Sequence, residues 1–286
     1  MASDDGEGLP LTAEAYAAML VEDFDWLEDT DRQAIAEMRA ELLERGRRVP
    51  EEMPELGGPL RLLRFIQGYD FDVGKATELY ESMMVWRAKK GVDTIRAWLL
   101  ERWNDDIHQI EGVPQWDAVQ ACVPTRQNVR SDRSPHVFVI ESTGKINAAA
   151  LVEVGETEYK AYTMYVMEHK SILLDRLSRE QRMVVKTSQI RDMVDAPITS
   201  WLYNRGAFPM TQSTIKMAQG AYPETVDKIF VVHAPWLMSK VWGIVQSWMA
   251  PKTREKVFVF ASDEEANAEL AKHLALEDVF GATPEP

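Results

Sequence analysis

A single cysteine, Cys122, stands among 286 residues, so no internal disulfide can form. That agrees with a reducing compartment, and beside Val119 and Val123 the thiol reads as a small buried hydrophobe. Long apolar runs are missing as well. Stretches such as Ile229 to Val232 fall far short of the roughly 20 residues a membrane span needs. Basic residues are outnumbered, 32 against 46 acidic, which leaves a net charge of −14. Such a chain lacks the basic surface that neutralises nucleic-acid phosphates. It is equally unsuited to holding an anionic bilayer by bulk charge, so membrane contact has to be local and apolar. No basic-then-apolar segment opens the chain, and no secretory signal is expected. There is no G-x-S-x-G elbow, phosphate-binding loop, dinucleotide glycine fingerprint or H-E-x-x-H pair. His108, His136, His169, His233 and His273 show no metal-ligand spacing. No catalytic set, metal or cofactor is therefore expected.

What is present is a globular composition, 45% hydrophobic and 27% charged. Residues 1–10 are small and acidic and read as a frayed tail. From 11 to about 110 the periodicity is helical. Thr12 to Leu27 is alanine-rich, and Ile35, Met38 and Leu42 share a face between Thr30 and Arg45. Gly46 to Pro59, with three prolines and three glycines, reads as a linker. Leu60 to Tyr69 returns to helix. Asp72 can cap the next helix, whose apolar face is Ala76, Leu79, Tyr80, Met83 and Trp86, and Gly91 ends it. Asp93 to Trp103 forms a third. Helices joined this tightly predict a small antiparallel bundle.

After Trp116 the texture changes. Ala118 to Val123, Val137 to Glu141, Met183 to Val194, Lys228 to His233 and Lys256 to Phe260 read as strands. Helices are expected at Glu158 to Leu177, within Ile198 to Gln219 with a break at Pro209, at Pro235 to Met249 and at Asp263 to Leu274. Strands apolar on both sides belong to a sheet covered on both faces. The expected fold class is therefore α/β, an N-terminal helical bundle (11–110) followed by an α/β/α sandwich (111–286).

The most informative segment is Pro235 to Met249. At 100° per residue, Leu237, Met238, Val241, Trp242, Ile244, Val245, Trp248 and Met249 fall within an arc of roughly 160°, wider than the roughly 100° stripe of a surface helix. Trp236 adds a third tryptophan. Tryptophan suits membrane interfaces, and methionine adapts to irregular apolar partners. Composition leaves two readings open: a rod wedged deep in the core, or a loosely held lid over an apolar cavity.

Around that segment lie Tyr222, Pro223 and Glu224, then Ala234 and Pro235, then Pro251, Thr253 and Lys256. These residues, at these separations, resemble the CRAL-TRIO family of lipid-binding and lipid-transfer proteins. Residues 62–95, from Leu62-Leu63-Arg64-Phe65 to the Trp86-Arg87 pair, resemble that family's N-terminal helical module. Asp132 to Pro135 and Gln189 to Met193 resemble its shorter strand signatures, and Phe280-Gly281 its late Gly-Gly strand. The resemblance runs from about residue 30 to 281. It implies a mixed sheet forming the floor of an apolar lipid pocket, closed by a gate helix that carries Trp236, Leu237, Met238, Val241, Trp242, Val245, Trp248 and Met249. It implies that Glu224, Thr253 and Lys256 hold a lipid head group: lysine as a point charge on phosphate, threonine as a donor, glutamate as an acceptor from inositol hydroxyls. Two family arginines are Tyr69 and Thr225 here, each forfeiting a charge-assisted bond of about 1.5–3 kcal/mol. The family's asparagine before Ala-Pro is His233.

The function this implies is non-enzymatic. One phospholipid, phosphatidylinositol or phosphatidylcholine, is bound as cargo and transferred or presented between membranes. The protein is expected in the cytoplasm, with transient peripheral contact to a membrane surface. Tyr69 and Thr225 leave room for a less charged cargo such as a tocopherol, retinoid or squalene-like molecule. A lipid-regulated interaction module, meeting a protein partner through residues 11–58, is a third reading.

Overall fold

The computed structural model describes residues 24–50, 52–196, 205–235, 243–260 and 262–280. In chain order its helices are α1 (Asp29–Glu44), α2 (Pro54–Gly57), α3 (Pro59–Gly68), α4 (Val73–Lys90), α5 (Val92–Glu101), α6 (Trp116–Cys122), α7 (Ala148–Val154), α8 (Glu156–Gln181), α9 (Phe208–Ala221), α10 (Pro251–Arg254), α11 (Asp263–Leu270) and α12 (Leu276–Phe280). The strands are β1 (Thr125–Ser131), β2 (Ser134–Glu141), β3 (Thr187–Asp192), β4 (Val226–Val232) and β5 (Val257–Val259). Residues 236–242, which include five of the gate-helix positions (Trp236, Leu237, Met238, Val241 and Trp242), lie outside the described residues, as do the tail at 1–10 and most of the expected helix at 12–27.

The chain divides into two compact units. The first gathers Met1–Gly112, Met164–Val184 and Gly220–Glu224, so its helices come from three separate stretches of sequence. Its core is built on α3, where Leu62, Leu63, Phe65 and Ile66 are fully buried with Met38, Leu42, Leu56, Leu173, Leu174 and Leu177. Phe65 meets Tyr80 edge-on at 5.4 Å, a favourable aromatic geometry. Asp72 caps α4 by accepting from the Lys75 amide at 3.0 Å, and Gly91 closes it at φ +66, as its sequence position predicts.

The linker expected at Gly46 to Pro59 is partly wrong. Residues 54–57 form α2, and all four are buried. Leu56 fills the core, and the Glu55 carboxylate pairs with Arg96. Three prolines and three glycines signal a turning backbone but say nothing about burial. Gly57 in fact allows close backbone approach, since a Cβ there would stand 2.5 Å from the Pro50 carbonyl oxygen.

Charge is buried in this unit. Arg87 makes two bonds to Glu168, at 2.8 and 2.6 Å, and two to Asp93. Burial alone would raise the Glu168 carboxyl, yet the Arg87 guanidinium and the hydrogen bonds from Arg87 and Tyr222 hold it below its ordinary value. His169 is fully buried, stacks on Trp103 at 4.7 Å and, as a neutral imidazole, donates from Nε2 to the Asn104 carbonyl at 2.7 Å.

The second unit comprises Val113–Thr163, Val185–Gln219 and Thr225–Pro286. Its five-stranded sheet runs β1-β2-β3-β4-β5. β1 and β2 are antiparallel, and β2, β3, β4 and β5 are parallel. Phe138, Ile140, Ile190, Phe230 and Val232 face α11 and α12 through Ala266, Leu270, Leu274 and Val279. Alternation sends Val137, Val139, Ile229 and Val231 to the other face, all buried. Parallel strands need this double cover, and their continuous apolar character made them legible.

One local reading changes, and one strand was not anticipated. Residues 118–123 were expected as a strand, but α6 occupies 116–122, with Val119 and Cys122 buried three residues apart on one helical face. A run this short satisfies either period. β1 has no apolar alternation because it is a polar edge strand, bulged where Asn128 takes φ +57. Pro209 is the second residue of α9, where the first turn tolerates its missing N–H, and residues 197–204 of the expected Ile198 to Gln219 segment lie outside the described residues.

Burial pushes the His169 pKa from 6.5 down to about 4, against the opposing pull of the Asn104 carbonyl and Asp105. Between those values the unfolded chain binds more protons, so stability rises with pH. We expect the unfolding free energy to fall by about 1.5 kcal/mol from pH 6.5 to pH 5 on this account. Urea titrations at the two pH values check it, and His169→Gln should flatten that slope.

Candidate functional site

The sequence singles out three elements, and each is best described within its own unit. In the first unit, α9 ends in the turn Ala221-Tyr222-Pro223-Glu224, with Ala221, Tyr222 and Pro223 buried. The Tyr222 hydroxyl donates to Glu168 at 2.8 Å, and its ring meets Trp86 edge-on at 6.3 Å. Burial and the adjacent Glu168 carboxylate push the Tyr222 phenol well above its usual range, so it remains a donor at neutral pH. Glu224 follows, half-buried, with a left-handed backbone at φ +51. Tyr69, which replaces a family arginine, is also half-buried, and the Lys75 ammonium lies 5.6 Å from its ring centroid.

In the second unit, Thr253 lies in α10 and Lys256 just beyond it, and the Lys256 amide donates to the Thr253 carbonyl at 3.2 Å. These two head-group candidates are thus brought together on one turn that leads into β5. The Lys256 ammonium donates to the Val226 carbonyl at 2.9 Å, which ties it to the start of β4. Glu224 belongs to the first unit, Thr253 and Lys256 to the second.

Of the gate-helix residues, Val245, Trp248 and Met249 are described, and all three are half-buried. Gly243 to Val245 are helical and 246–248 form a 3₁₀ turn. Trp248 packs against Phe208 of α9 at 5.6 Å, and its carbonyl accepts from Gln219 at 3.5 Å. The end of the segment therefore rests on α9 through one ring contact and one long hydrogen bond.

The sheet face away from α11 and α12 carries a polar feature that the sequence reading missed. Glu141 on β2 and Arg191 on β3 are register partners and form an ion pair. Arg191 also donates to Gln189 at 2.8 Å, and Thr143 donates to Glu141 at 2.9 Å. The Tyr159 phenol is pushed up to about 12, chiefly by burial and then by Glu141, with Arg191 opposing. The alternation Gln189-Ile190-Arg191 was a usable signal, since it puts two polar groups on one face of a strand whose other face is core.

His233 ends β4 at φ +52 and contacts Asp192 at 2.7 Å through Nδ1 and Asp263 at 3.8 Å through Nε2. Asparagine and histidine are among the residues that tolerate this backbone region, so His233 keeps the conformation that an asparagine would adopt.

The family model for the CRAL/TRIO domain matches residues 130–280. The chain is 25% identical over 207 residues to the SEC14 cytosolic factor of Yarrowia lipolytica, covering 71% of this chain and 38% of that protein. It is 26% identical to the phosphatidylinositol/phosphatidylcholine transfer protein SFH4 of Arabidopsis thaliana, over 78% of this chain and 35% of that protein. It is 26% identical to the SEC14 cytosolic factor of Candida glabrata, over 78% of this chain and 70% of that protein. The chain thus spans little more than a third of the length of the first two relatives. The crystal structure of Sfh5 superposes with a TM-score of 0.59 at 14% identity, covering 83% of this chain and 82% of that one, which supports the fold. On the match over 130–280, more than half of its length, the chain belongs to the CRAL/TRIO domain family.

Proposed function

We propose that the protein encloses one phospholipid, phosphatidylinositol or phosphatidylcholine, and transfers or presents it between membranes. The observation that carries this reading is the Tyr222-Pro223-Glu224 turn and the Thr253–Lys256 turn in a chain whose relatives include a phosphatidylinositol/phosphatidylcholine transfer protein. In this reading Lys256 and Thr253 hold the phosphate of the inositol lipid, as point charge and as donor, while Glu224 accepts from its ring hydroxyls; choline has no hydroxyls for Glu224, and its phosphate is not seated on these three residues. The sheet face away from α11 and α12, with Val137, Val139, Ile229 and Val231, is the floor beneath the acyl chains, each CH₂ of which gains roughly 0.8 kcal/mol on burial. The segment 236–249 is the lid. On a bilayer its apolar side chains, Trp236, Leu237, Met238, Val241, Trp242, Val245, Trp248 and Met249, enter the interface and the lid swings. No covalent step and no cofactor take part. The protein works in the cytoplasm and visits membranes transiently. Among the described residues of 11–58, Leu43 of α1, 69% exposed, is a large apolar side chain that a protein partner would cover.

A second cargo class, an uncharged amphiphile such as a tocopherol, retinoid or squalene-like molecule, is favoured by one observation. At a family arginine position the first unit offers the half-buried Tyr69 ring. Native mass spectrometry of the protein as isolated separates the two by the mass of the bound molecule.

Three outcomes are expected. Purified protein should extract labelled phospholipid from donor vesicles and deliver it to acceptors; failure of both steps sinks the proposal. Lys256→Ala should lower the ratio of phosphatidylinositol to phosphatidylcholine transfer by roughly tenfold or more, the loss of one charge-assisted bond. A ratio that stays constant while both rates fall would contradict the head-group role. Trp248→Asp should slow transfer from vesicles by at least about tenfold, since it places a charge at the apolar interface. Urea unfolding of the variant separates this from lost packing on Phe208: a transfer loss no larger than the fall in folded fraction would contradict the interface role.

A further inference from the structure

Glu224 is a non-glycine residue in the left-handed region, at φ +51. Such a conformation persists only where the surroundings over-determine it, and it fixes the direction in which the side chain leaves the backbone. The surroundings here are specific. Arg61 and Arg64 lie three residues apart on α3, on the same helical face, and both are buried. Arg61 donates to the Ala221 carbonyl at 2.5 Å and to Ser171 at 3.1 Å. Arg64 donates to the carbonyl of Glu224 itself at 2.9 Å. The two guanidinium groups therefore grip the first and last residues of the turn.

Between them, Tyr222 is fastened to Glu168, and Pro223 sits against Gly68 at the end of α3. A Cβ at Gly68 would stand 3.1 Å from Pro223 Cβ and 3.7 Å from Glu224 Cγ. The glycine is a notch that the turn occupies. Burial pushes the Arg64 guanidinium down to about 10, with Asp175 opposing, so it remains a charged donor at neutral pH. A buried guanidinium is costly in desolvation unless its donors are bonded, and the Glu224 carbonyl takes one of those bonds.

We propose that Arg64 and Gly68 are positioning residues that set the backbone of Glu224, and so aim its carboxylate at the hydroxyls of a polyol-phosphate head group without touching the lipid themselves. This rests on the head-group role proposed for Glu224. Two perturbations of different kind test it. Gly68→Ala crowds Pro223 and Glu224, removes no bond, and places alanine at a helical position whose φ is not left-handed. Arg64→Gln removes the charged donor.

The readout is the ratio of phosphatidylinositol to phosphatidylcholine transfer between vesicles, with urea unfolding of each variant alongside. Gly68→Ala should lower the ratio roughly tenfold, the scale of one charge-assisted hydrogen bond, while the protein still unfolds in one cooperative urea transition. Arg64→Gln should lower it comparably, and neither change should lower it further in a Glu224→Gln background, because the three act through one group. If Glu224→Gln lowers the ratio and Gly68→Ala leaves it unchanged, positioning is overturned and the head-group role stands. If Glu224→Gln itself leaves the ratio unchanged, both fall. Should Arg64→Gln fail to fold, Gly68→Ala decides the matter alone.

Discussion

The Arg87–Glu168 pair is the interaction on which the first unit turns, because two charges this thoroughly removed from water tolerate no vacancy. Arg87 is 2% exposed and Glu168 1%. Desolvating such ions costs several kcal/mol each, and the cost is offset only when their bonds are complete. Arg87 meets that condition with two bonds to Glu168 and two to Asp93, and Glu168 by accepting a further bond from Tyr222. A buried pair of this kind adds little net stability over an apolar substitute, and its worth lies in geometry. It requires α4, α8 and the turn at 221–224 to stand in one arrangement. Segments from three distant parts of the sequence are thereby brought into a single unit, and the turn that ends in Glu224 hangs from the result.

The second unit obeys a different constraint. Its central strands are apolar on both faces, so both faces need cover. On one side α11 and α12 supply it through Ala266, Leu270, Leu274 and Val279. The C-terminal segment is held there by β1 and the hairpin turn as well: Arg126 donates to the Val279 carbonyl at 2.7 Å, and Arg133 to the Ala271 carbonyl at 3.0 Å. On the other side the apolar rows are interrupted by the Glu141–Arg191 pair, with Gln189 and Tyr159 about it. A floor of that composition does not present uniform hydrocarbon to whatever lies on it.

These two kinds of order differ in how openly the sequence declares them. Repeating features were legible: the α4 caps at Asp72 and Gly91 and the buried β4 run stand where the residue pattern put them, and the strand expected at Met183 to Val194 is present as the shorter Thr187–Asp192. Features that depend on a distant partner were not. Arg61 and Arg64 interrupt the apolar face of α3 and would be drawn as solvent-exposed, yet both point inward, because Ala221 and Glu224 arrive some 160 residues later with carbonyls to bond. Likewise α2 looked like linker, since nothing local shows that Glu55 will meet Arg96. Glu224, Thr253 and Lys256, the proposed head-group residues, were singled out by family resemblance. Their chemistry is ordinary for surface residues, and no spacing rule singles them out.

The net charge of −14 bears on how such a site could serve an anionic lipid at all. An acidic protein approaches an anionic bilayer against its own field, and only within about a Debye length, roughly 8 Å at physiological salt, does a local arrangement outweigh that repulsion. Under the proposed function attraction has to be short-ranged at both stages: apolar side chains at the interface, then a few well-held polar groups at the head group. Short-range recognition is unforgiving of direction, since a hydrogen bond weakens steeply as its angle opens. Under the family resemblance two arginine positions are Tyr69 and Thr225 here, which leaves the chain fewer charges to compensate for poor aim. It then depends the more on groups whose placement is fixed in advance, and the two observed here are Lys256, tied to the Val226 carbonyl, and Glu224, gripped through its backbone by Arg64.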